Sequence, residues 1–483
     1  MNALLKTLRW PAEDRDQRRL ALWTSEEVVA ATGGVASEPF QAGGVEMDSR
    51  DVRSGDLFFA LKGESADGHL YVDKAIAGGA AAAVVEKPIP QPHVLVEDTS
   101  RALELLAKAA RKRAPAHVIG VTGSVGKTGV KEAIFAALER TSKGAAHRSV
   151  RSYNNHVGVP LSLSRMPARS RFGVFEMGMN HAGEILGLTS QVRPHVAVVT
   201  TIAPAHIENL GSEEAIADAK AEIFAGLEPG GTAVIPADSA HYQRLRTAAE
   251  ARGARVLAFG RAADADVRLL DAVAVANGGS LVTAALEDRR LCFSVAEPGE
   301  HWVANSLAVM AVVHAAGGDL GAAGLALAEM GGLKGRGARH RVRVPGGHAL
   351  MIDESYNANP ASMRATLAQL GATPAGRRIA VLGSMKELGD FAPSFHAQLA
   401  GPLAEARVDY AILVGEEMLA LARELGKAAQ NTLGNRAAYA HCQGPGEAIA
   451  ALEEFGLTGG DAVLVKGSNS VGLGRVVAHF AAK

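Results

Sequence analysis

The chain has 483 residues, 48% of them hydrophobic, and its 50 lysines and arginines almost balance 51 aspartates and glutamates, giving a formal net charge of −1. That length exceeds what one core can organise and points to about two to four domains, three being expected, while the balanced charge excludes general attraction to nucleic acid or to an anionic membrane. With only Cys292 and Cys442, a disulfide framework and a cysteine-rich zinc site are excluded and a reducing compartment fits, so the cytoplasm is expected.

Met1–Pro11 carries Lys6 and Arg9 but no apolar run long enough for a signal peptide, so export is not expected. Thr24-Ser-Glu-Glu27 has the spacing of a helix capping box, and Gly33-Gly34 ends the helix it opens. Between Asp48 and Gly63 a polar loop containing Ser49 and Arg50 leads into a strand over Leu57 to Leu61, and Asp67-Gly-His69 follows. An α/β unit is expected there, with Ser49 and Arg50 either gripping a diphosphate or forming an exposed turn. Arg111-Lys-Arg113, ahead of Ala114-Pro115, reads as a solvated helix end that closes a first domain at 1–113.

The second domain, 114–333, opens on Val118-Ile-Gly-Val-Thr-Gly-Ser-Val-Gly-Lys-Thr128. A short strand runs into Gly123-Ser124-Val125-Gly126-Lys127-Thr128, and Val130, Ile134, Phe135 and Leu138 give the following helix an apolar face. Glycines at 123 and 126 let backbone N–H groups face an anion, Lys127 would reach the β/γ-phosphates, and the Thr128 hydroxyl would hold Mg²⁺. The motif is shorter than the general phosphate-loop pattern, which wants glycine at the position of Val121. Asn154 and Asn155, in Tyr153-Asn-Asn-His-Val-Gly-Val-Pro160, are turn residues or ligand contacts.

A strand over Phe172–Phe175 delivers Glu176 to its carboxyl end, where ligands and metals sit in such sheets, so a Mg²⁺ role is weighed against helix capping. Another strand, His195–Thr201, delivers His206, and Lys220 lies on a helix beginning near Ser212. Arg255–Glu297 alternates short apolar runs with turns and reads as antiparallel strands without chemistry. Val303–Ala316 reads as a buried helix, with Asn305 near its start; the uncharged run to Gly318 is too short for the roughly 20 apolar residues of a membrane span.

The third domain, 334–483, opens at Lys334-Gly-Arg-Gly337. Strands over Ala349–Ile352, Ile379–Leu382, Ala411–Val414 and Ala462–Val465 alternate with helical segments and predict a doubly wound sheet. The loop Asp353-Glu-Ser-Tyr-Asn-Ala-Asn-Pro360 is dense in polar groups, and a structural turn does not need Tyr356, Asn357 and Asn359 together.

Taken together, Asp48-Ser-Arg50, Gly123–Thr128, Asn154-Asn155, Glu176, His206, Lys220, His301, Asn305, Gly335-Arg336, Asp353–Pro360, Glu387-Leu-Gly389 and Lys466-Gly-Ser468 resemble the Mur ligases over nearly the whole chain. The shortened phosphate loop is the form that family uses. The resemblance implies a three-domain α/β protein: a UDP-substrate domain, a central ATPase-like parallel sheet and a C-terminal Rossmann-like domain.

It also implies ATP and Mg²⁺ as cofactors, with Lys127 on the phosphates and Thr128, Glu176, His206 and a carbamylated Lys220 at the metal. Asn305, Arg336 and Asp353 would hold adenine, phosphate and ribose, Ser49 and Arg50 the uridine end, and Asn357 with Asn359 the incoming amine. Tyr-Asn-Ala-Asn-Pro points to the branch that adds D-alanyl-D-alanine to UDP-N-acetylmuramoyl-tripeptide; a sibling adding one amino acid and a non-catalytic ATP-binding scaffold are the alternatives. No nucleic-acid partner, no membrane insertion and a monomer are expected. Five positions depart from the family pattern: Gly129-Val130 stand where threonines are usual, Trp302 where asparagine is common, Ser384 where aspartate is frequent, and Asn469 where arginine often follows Lys-Gly-Ser.

Overall fold

The computed structural model describes residues 21–63, 66–275, 278–430 and 438–482, except for the side chains of 428–430; Met1–Pro11 lies outside them. Among the described residues the strands form sheets of nine, six and five, plus a two-stranded ladder, and no helix is long and apolar enough to cross a membrane. The chain divides into two compact units: residues up to Pro115 with Pro160–Arg169, and Ala116–Val159 with Ser170 onward.

In the first unit the capping box forms as its spacing predicts. Thr24 Oγ1 accepts from the Glu27 N–H at 3.3 Å and Glu27 Oε2 from the Thr24 N–H at 2.9 Å, and the Ser25–Thr32 helix ends on a left-handed Gly33. The five-stranded sheet runs Val35–Ala36, His93–Leu95, Ala82–Val85, Asp56–Phe59, Gly44–Glu46, parallel apart from the first pair. All of Asp56–Phe59 is buried, as in a parallel sheet covered on both faces. The Pro160–Arg169 segment is tied into this unit by Trp23 Nε1 donating to the Ser164 carbonyl at 2.8 Å and by Arg165 pairing with Glu46 at 2.6 Å.

The nine-stranded sheet of the second unit is ordered Arg289–Val295, Ser280–Leu286, Val267–Ala274, Arg255–Gly260, Thr232–Pro236, Val196–Val199, His117–Thr122, Phe172–Glu176, Ala146–Arg148. Its central strands are parallel, with Glu176 opposite Val121 and Val199 opposite Thr122, so three loops leave side by side at one edge. The helices Lys127–Ser142 and Glu300–Ala315 pack on this sheet in one core that includes Ile119, Ile134, Leu138, Val309 and Val313.

The expectation of antiparallel strands through Arg255–Glu297 needs correction at its start. Arg255–Gly260 pairs parallel with Thr232–Pro236, because the Tyr242–Glu250 helix crosses over between them, and only Val267–Ala274 onward forms an antiparallel meander.

The six-stranded sheet, ordered Ala338–Val344, Gly347–Glu354, Ala462–Lys466, Arg378–Gly383, Tyr410–Val414, Ala438–Cys442, is parallel except for its first pair. Its two edge strands, Ala338–Val344 and Ala438–Cys442, were not expected from the apolar pattern. The late strand Ala462–Lys466 inserts between two earlier ones and sets Lys466 opposite Glu354.

Candidate functional site

The phosphate loop joins the His117–Thr122 strand to the Lys127–Ser142 helix, whose cap residue Gly126 is left-handed and offers no side-chain hydrogen bond. The helix's first N–H groups are therefore free of a side-chain cap and supply an anion site of the phosphate-binding kind. The loop is braced from the neighbouring strand exit. The Ser124 N–H donates to Thr201 O at 2.7 Å, Ser124 Oγ to Ala203 O at 2.8 Å, and Thr200 Oγ1 to Val125 O at 2.5 Å. Lys127 Nζ donates to Gly123 O at 2.7 Å, and burial, partly offset by Glu176, lowers its pKa.

Beside the loop, Glu176 is fully buried at its strand's end. Thr128 Oγ1 donates to one carboxylate oxygen at 2.9 Å and Asn154 Nδ2 to the other at 2.8 Å, while Ser149 Oγ accepts from the Glu176 N–H at 3.0 Å. Asn155 instead caps its own turn, accepting from the Gly158 N–H at 2.9 Å. A residue that sequence reasoning missed holds this corner: buried Lys131 donates to Arg151 O at 2.6 Å and to Ser149 O at 3.3 Å. A lysine on an otherwise amphipathic helix gives no sign of that task.

His206 is left-handed, and its Nδ1 lies 2.5 Å from Glu387 Oε2, a close contact without hydrogen-bond geometry. The His206 contact holds Glu387 below the ordinary carboxylate range despite its burial. Lys220 is buried, and among the described residues its side-chain nitrogen has no hydrogen bond or ion pair. Burial first, then the Lys127 charge, push its pKa well down.

From the six-stranded sheet, Arg336 stacks over the Tyr356 ring, 4.3 Å from its centroid. Asp353 does not line the cavity: its oxygens accept from the Gly335 N–H at 2.8 Å and from Ser355 Oγ at 2.6 Å, so it shapes the turn carrying Arg336. Its neighbour Glu354 faces the cavity, 3.6 Å from Lys466 Nζ, and Lys466 also donates to the Asn357 carbonyl at 3.0 Å. Asn359 caps the Pro360–Ala372 helix, accepting from the Ser362 N–H at 2.9 Å.

These groups converge on a cavity of about 370 Å³. Its lining brings together Ser124–Lys127, Asn154, Asn155, Glu176, His206, Asn305, Arg336, Tyr356, Asn357 and Asn359, with Thr128 bonded to Glu176 behind it. His301, also in the wall, is held neutral by burial and by nearby Lys466, its pKa lowered to about 4. Lys220 does not line the cavity. Ser49 and Arg50 belong to the first unit, where exposed Arg50 pairs with Asp48 at 2.6 Å and draws that carboxyl down to about 2.

Among the described residues no three His, Cys, Asp or Glu side chains converge to hold a metal by themselves. The oxygens of Thr128 and Glu176 fit Mg²⁺, which commonly takes one or two carboxylates and completes its shell with phosphate and water oxygens; His206 lines the same cavity.

Three family models match the chain: the Mur ligase family catalytic domain over residues 42–118, the Mur ligase middle domain over 121–313, and the Mur ligase glutamate ligase domain over 340–469. The UDP-N-acetylmuramoyl-tripeptide–D-alanyl-D-alanine ligase of Synechocystis is 35% identical over 454 residues, 92% of this chain and 94% of that protein. The Escherichia coli ligase of the same name is 35% identical over 385 residues, 79% of this chain and 83% of its own. The crystal structure of MurF from Acinetobacter baumannii aligns with a TM-score of 0.81 at 30% identity, covering 95% of this chain and 99% of that one. MurF from Thermotoga maritima, solved in complex with ADP, aligns at 0.72 and 27% identity, covering 91% and 97%. With this similarity running through all three domains of an α/β fold, the chain belongs to the Mur ligase family.

Proposed function

We propose that this protein is an ATP-dependent, ADP-forming ligase that joins D-alanyl-D-alanine to UDP-N-acetylmuramoyl-tripeptide in peptidoglycan precursor synthesis, acting as a cytoplasmic monomer. The observation that carries this reading is the shared cavity, where the phosphate loop of one sheet meets the Tyr356–Asn359 loop of another. We take the domains as 1–113, 114–333 and 334–483, since each of the three larger sheets falls wholly inside one of these segments, although Pro160–Arg169 packs with the first unit.

A peptide carboxylate is a poor electrophile, so the γ-phosphoryl group is first transferred to its oxygen, ADP leaves, and the dipeptide amine then attacks the acyl carbon, loses a proton and displaces inorganic phosphate. The loop N–H groups and the helix N-terminus fix the phosphates, and the Lys127 ammonium offsets their charge. Thr128, Glu176 and His206 would hold Mg²⁺, which offsets phosphate charge when bound. Asn305, Arg336 and the Asp353-braced turn receive the nucleoside, while Ser49 and Arg50 receive the uridine end. Tyr356, Asn357 and Asn359 present the acceptor dipeptide, with Asn154 and Asn155 at the acyl side.

The test is ADP release from UDP-N-acetylmuramoyl-tripeptide and ATP with D-alanyl-D-alanine or with D-alanine. Release that needs the dipeptide is expected, with at least about a tenfold preference in kcat/KM, since D-alanine leaves a buried hydrogen-bonding group unpaired. Equal use of D-alanine would assign a sibling reaction, and no release would leave a scaffold.

A further inference from the structure

On the Glu300–Ala315 helix, Trp302 and Asn305 are three residues apart and share one face, and both line the cavity. Each rests on a glycine of the phosphate-loop region. A Cβ built on Gly126 would lie 2.8 Å from Asn305 Oδ1, and one built on Gly129 would lie 2.8 Å and 3.0 Å from Trp302 Cη2 and Cζ2. The rigid indole thus occupies the space that any side chain at 129 would need. It is only half-buried, and its uncovered surface belongs to the cavity wall beside Lys127.

Gly129 and Trp302 are two of the five departures from the Mur pattern, where threonine and asparagine are usual. The contact links the two positions, because a side chain at 129 would need the space the indole at 302 fills. The exchange alters how a ligand can be read. An amide selects a base edge by hydrogen bonds, whereas an aromatic face accepts any base by stacking.

We propose that Trp302, seated on Gly129, is the platform on which the purine of the bound nucleotide stacks, and that it relaxes the choice between adenine and guanine. This rests on the reading of the cavity as the nucleotide site. Wild type, W302F, W302N, G129T and the G129T/W302N double variant should be titrated with ADP and GDP by calorimetry and by tryptophan fluorescence. Of the three tryptophans, Trp10 and Trp23 remain in W302F and provide the background signal.

ADP is expected to change the wild-type fluorescence but not that of W302F, which keeps its affinity within a few-fold because phenylalanine still stacks. W302N should weaken ADP by about tenfold. G129T, by displacing the indole, should do the same; adding W302N to it should cost little more, and the ADP-to-GDP preference should sharpen in the double variant. If W302N and G129T bind both nucleotides as wild type does, the indole only fills space and the proposal falls. If wild type binds neither nucleotide, the phosphate-loop reading falls with it, and Lys127→Ala would then match wild type in every titration.

Discussion

Asn359 has two tasks that substitution can separate. Its Oδ1 accepts from the Ser362 N–H at 2.9 Å and caps the Pro360–Ala372 helix, and its Nδ2 remains to donate into the cavity it lines. Asn359→Asp keeps the cap, since aspartate is as good a cap as asparagine, but removes the donor; Asn359→Ala removes both. The cap is worth ~1 kcal/mol, so the alanine variant should unfold at lower urea while the aspartate variant stays near wild type. A lost donor to the acceptor's amide or carboxylate costs ~1–3 kcal/mol, or about 5- to 150-fold in kcat/KM for D-alanyl-D-alanine. Both variants should show that loss, with KM for ATP little changed, in a coupled ADP-release assay with the dipeptide varied at saturating ATP. An Asn359→Asp enzyme with wild-type dipeptide efficiency would refute the donor role and leave Asn359 as a helix cap.

Three more outcomes follow from the geometry. Lys127→Ala should fold normally, because the glycine loop keeps its own bracing, yet lose turnover by orders of magnitude; near-normal ADP release would remove the phosphate-loop assignment. Lys220, buried and without an anionic partner among the described residues, should add CO₂ at its neutral amine, releasing a proton and forming a carbamate. A ¹³C-bicarbonate-labelled carbamate signal absent from Lys220→Arg is the expected reading, and a bare ammonium in a map with nucleotide and Mg²⁺ bound would refute it. Glu297 is buried, and burial, opposed by Arg339 and reinforced by Glu354, raises its pKa from the ordinary 4.5 to about 7. Its stabilising protonated form is fully present below the ordinary value and is lost as pH rises towards 7, so Glu297→Gln should gain ~1–2 kcal/mol over wild type above pH 7 after allowance for solvent screening. Urea midpoints at pH 5 and pH 8.5 that shift equally in both proteins would contradict this.

Local chemistry was the legible part of the site. Gly123, Gly126, Lys127 and Thr128 declare themselves because a phosphate loop is built from adjacent residues, and Glu176 and His206 because each leaves a strand at the carboxyl edge. What stayed hidden depended on which face a strand turns. Asp353 and Glu354 are neighbours, and only the strand's pairing decides that the first binds the Gly335 turn and the second meets Lys466 and the cavity. The edge strands Ala338–Val344 and Ala438–Cys442 escaped because an edge needs fewer apolar residues and here carries exposed Arg339, Arg341, Arg343 and Tyr439. The Trp302–Gly129 contact was visible only as two unrelated oddities, since more than a hundred and seventy residues separate them.

The insertion of Ala462–Lys466 between Gly347–Glu354 and Arg378–Gly383 also sets a timetable for synthesis. Ribosomes add ~5–20 residues per second, so Glu354 is made several seconds before Lys466 exists to neutralise it and to hold Asn357. During that interval Gly347–Glu354 and Arg378–Gly383 each present an unpaired edge, the kind of surface on which nascent chains aggregate or recruit chaperones. The nucleotide-binding sheet is complete by Val295, long before Ala462 is made. A chain stalled before Ala462 would carry a finished phosphate site with no organised acceptor loop, so the capacity to bind nucleotide arises on the ribosome before the capacity to spend it.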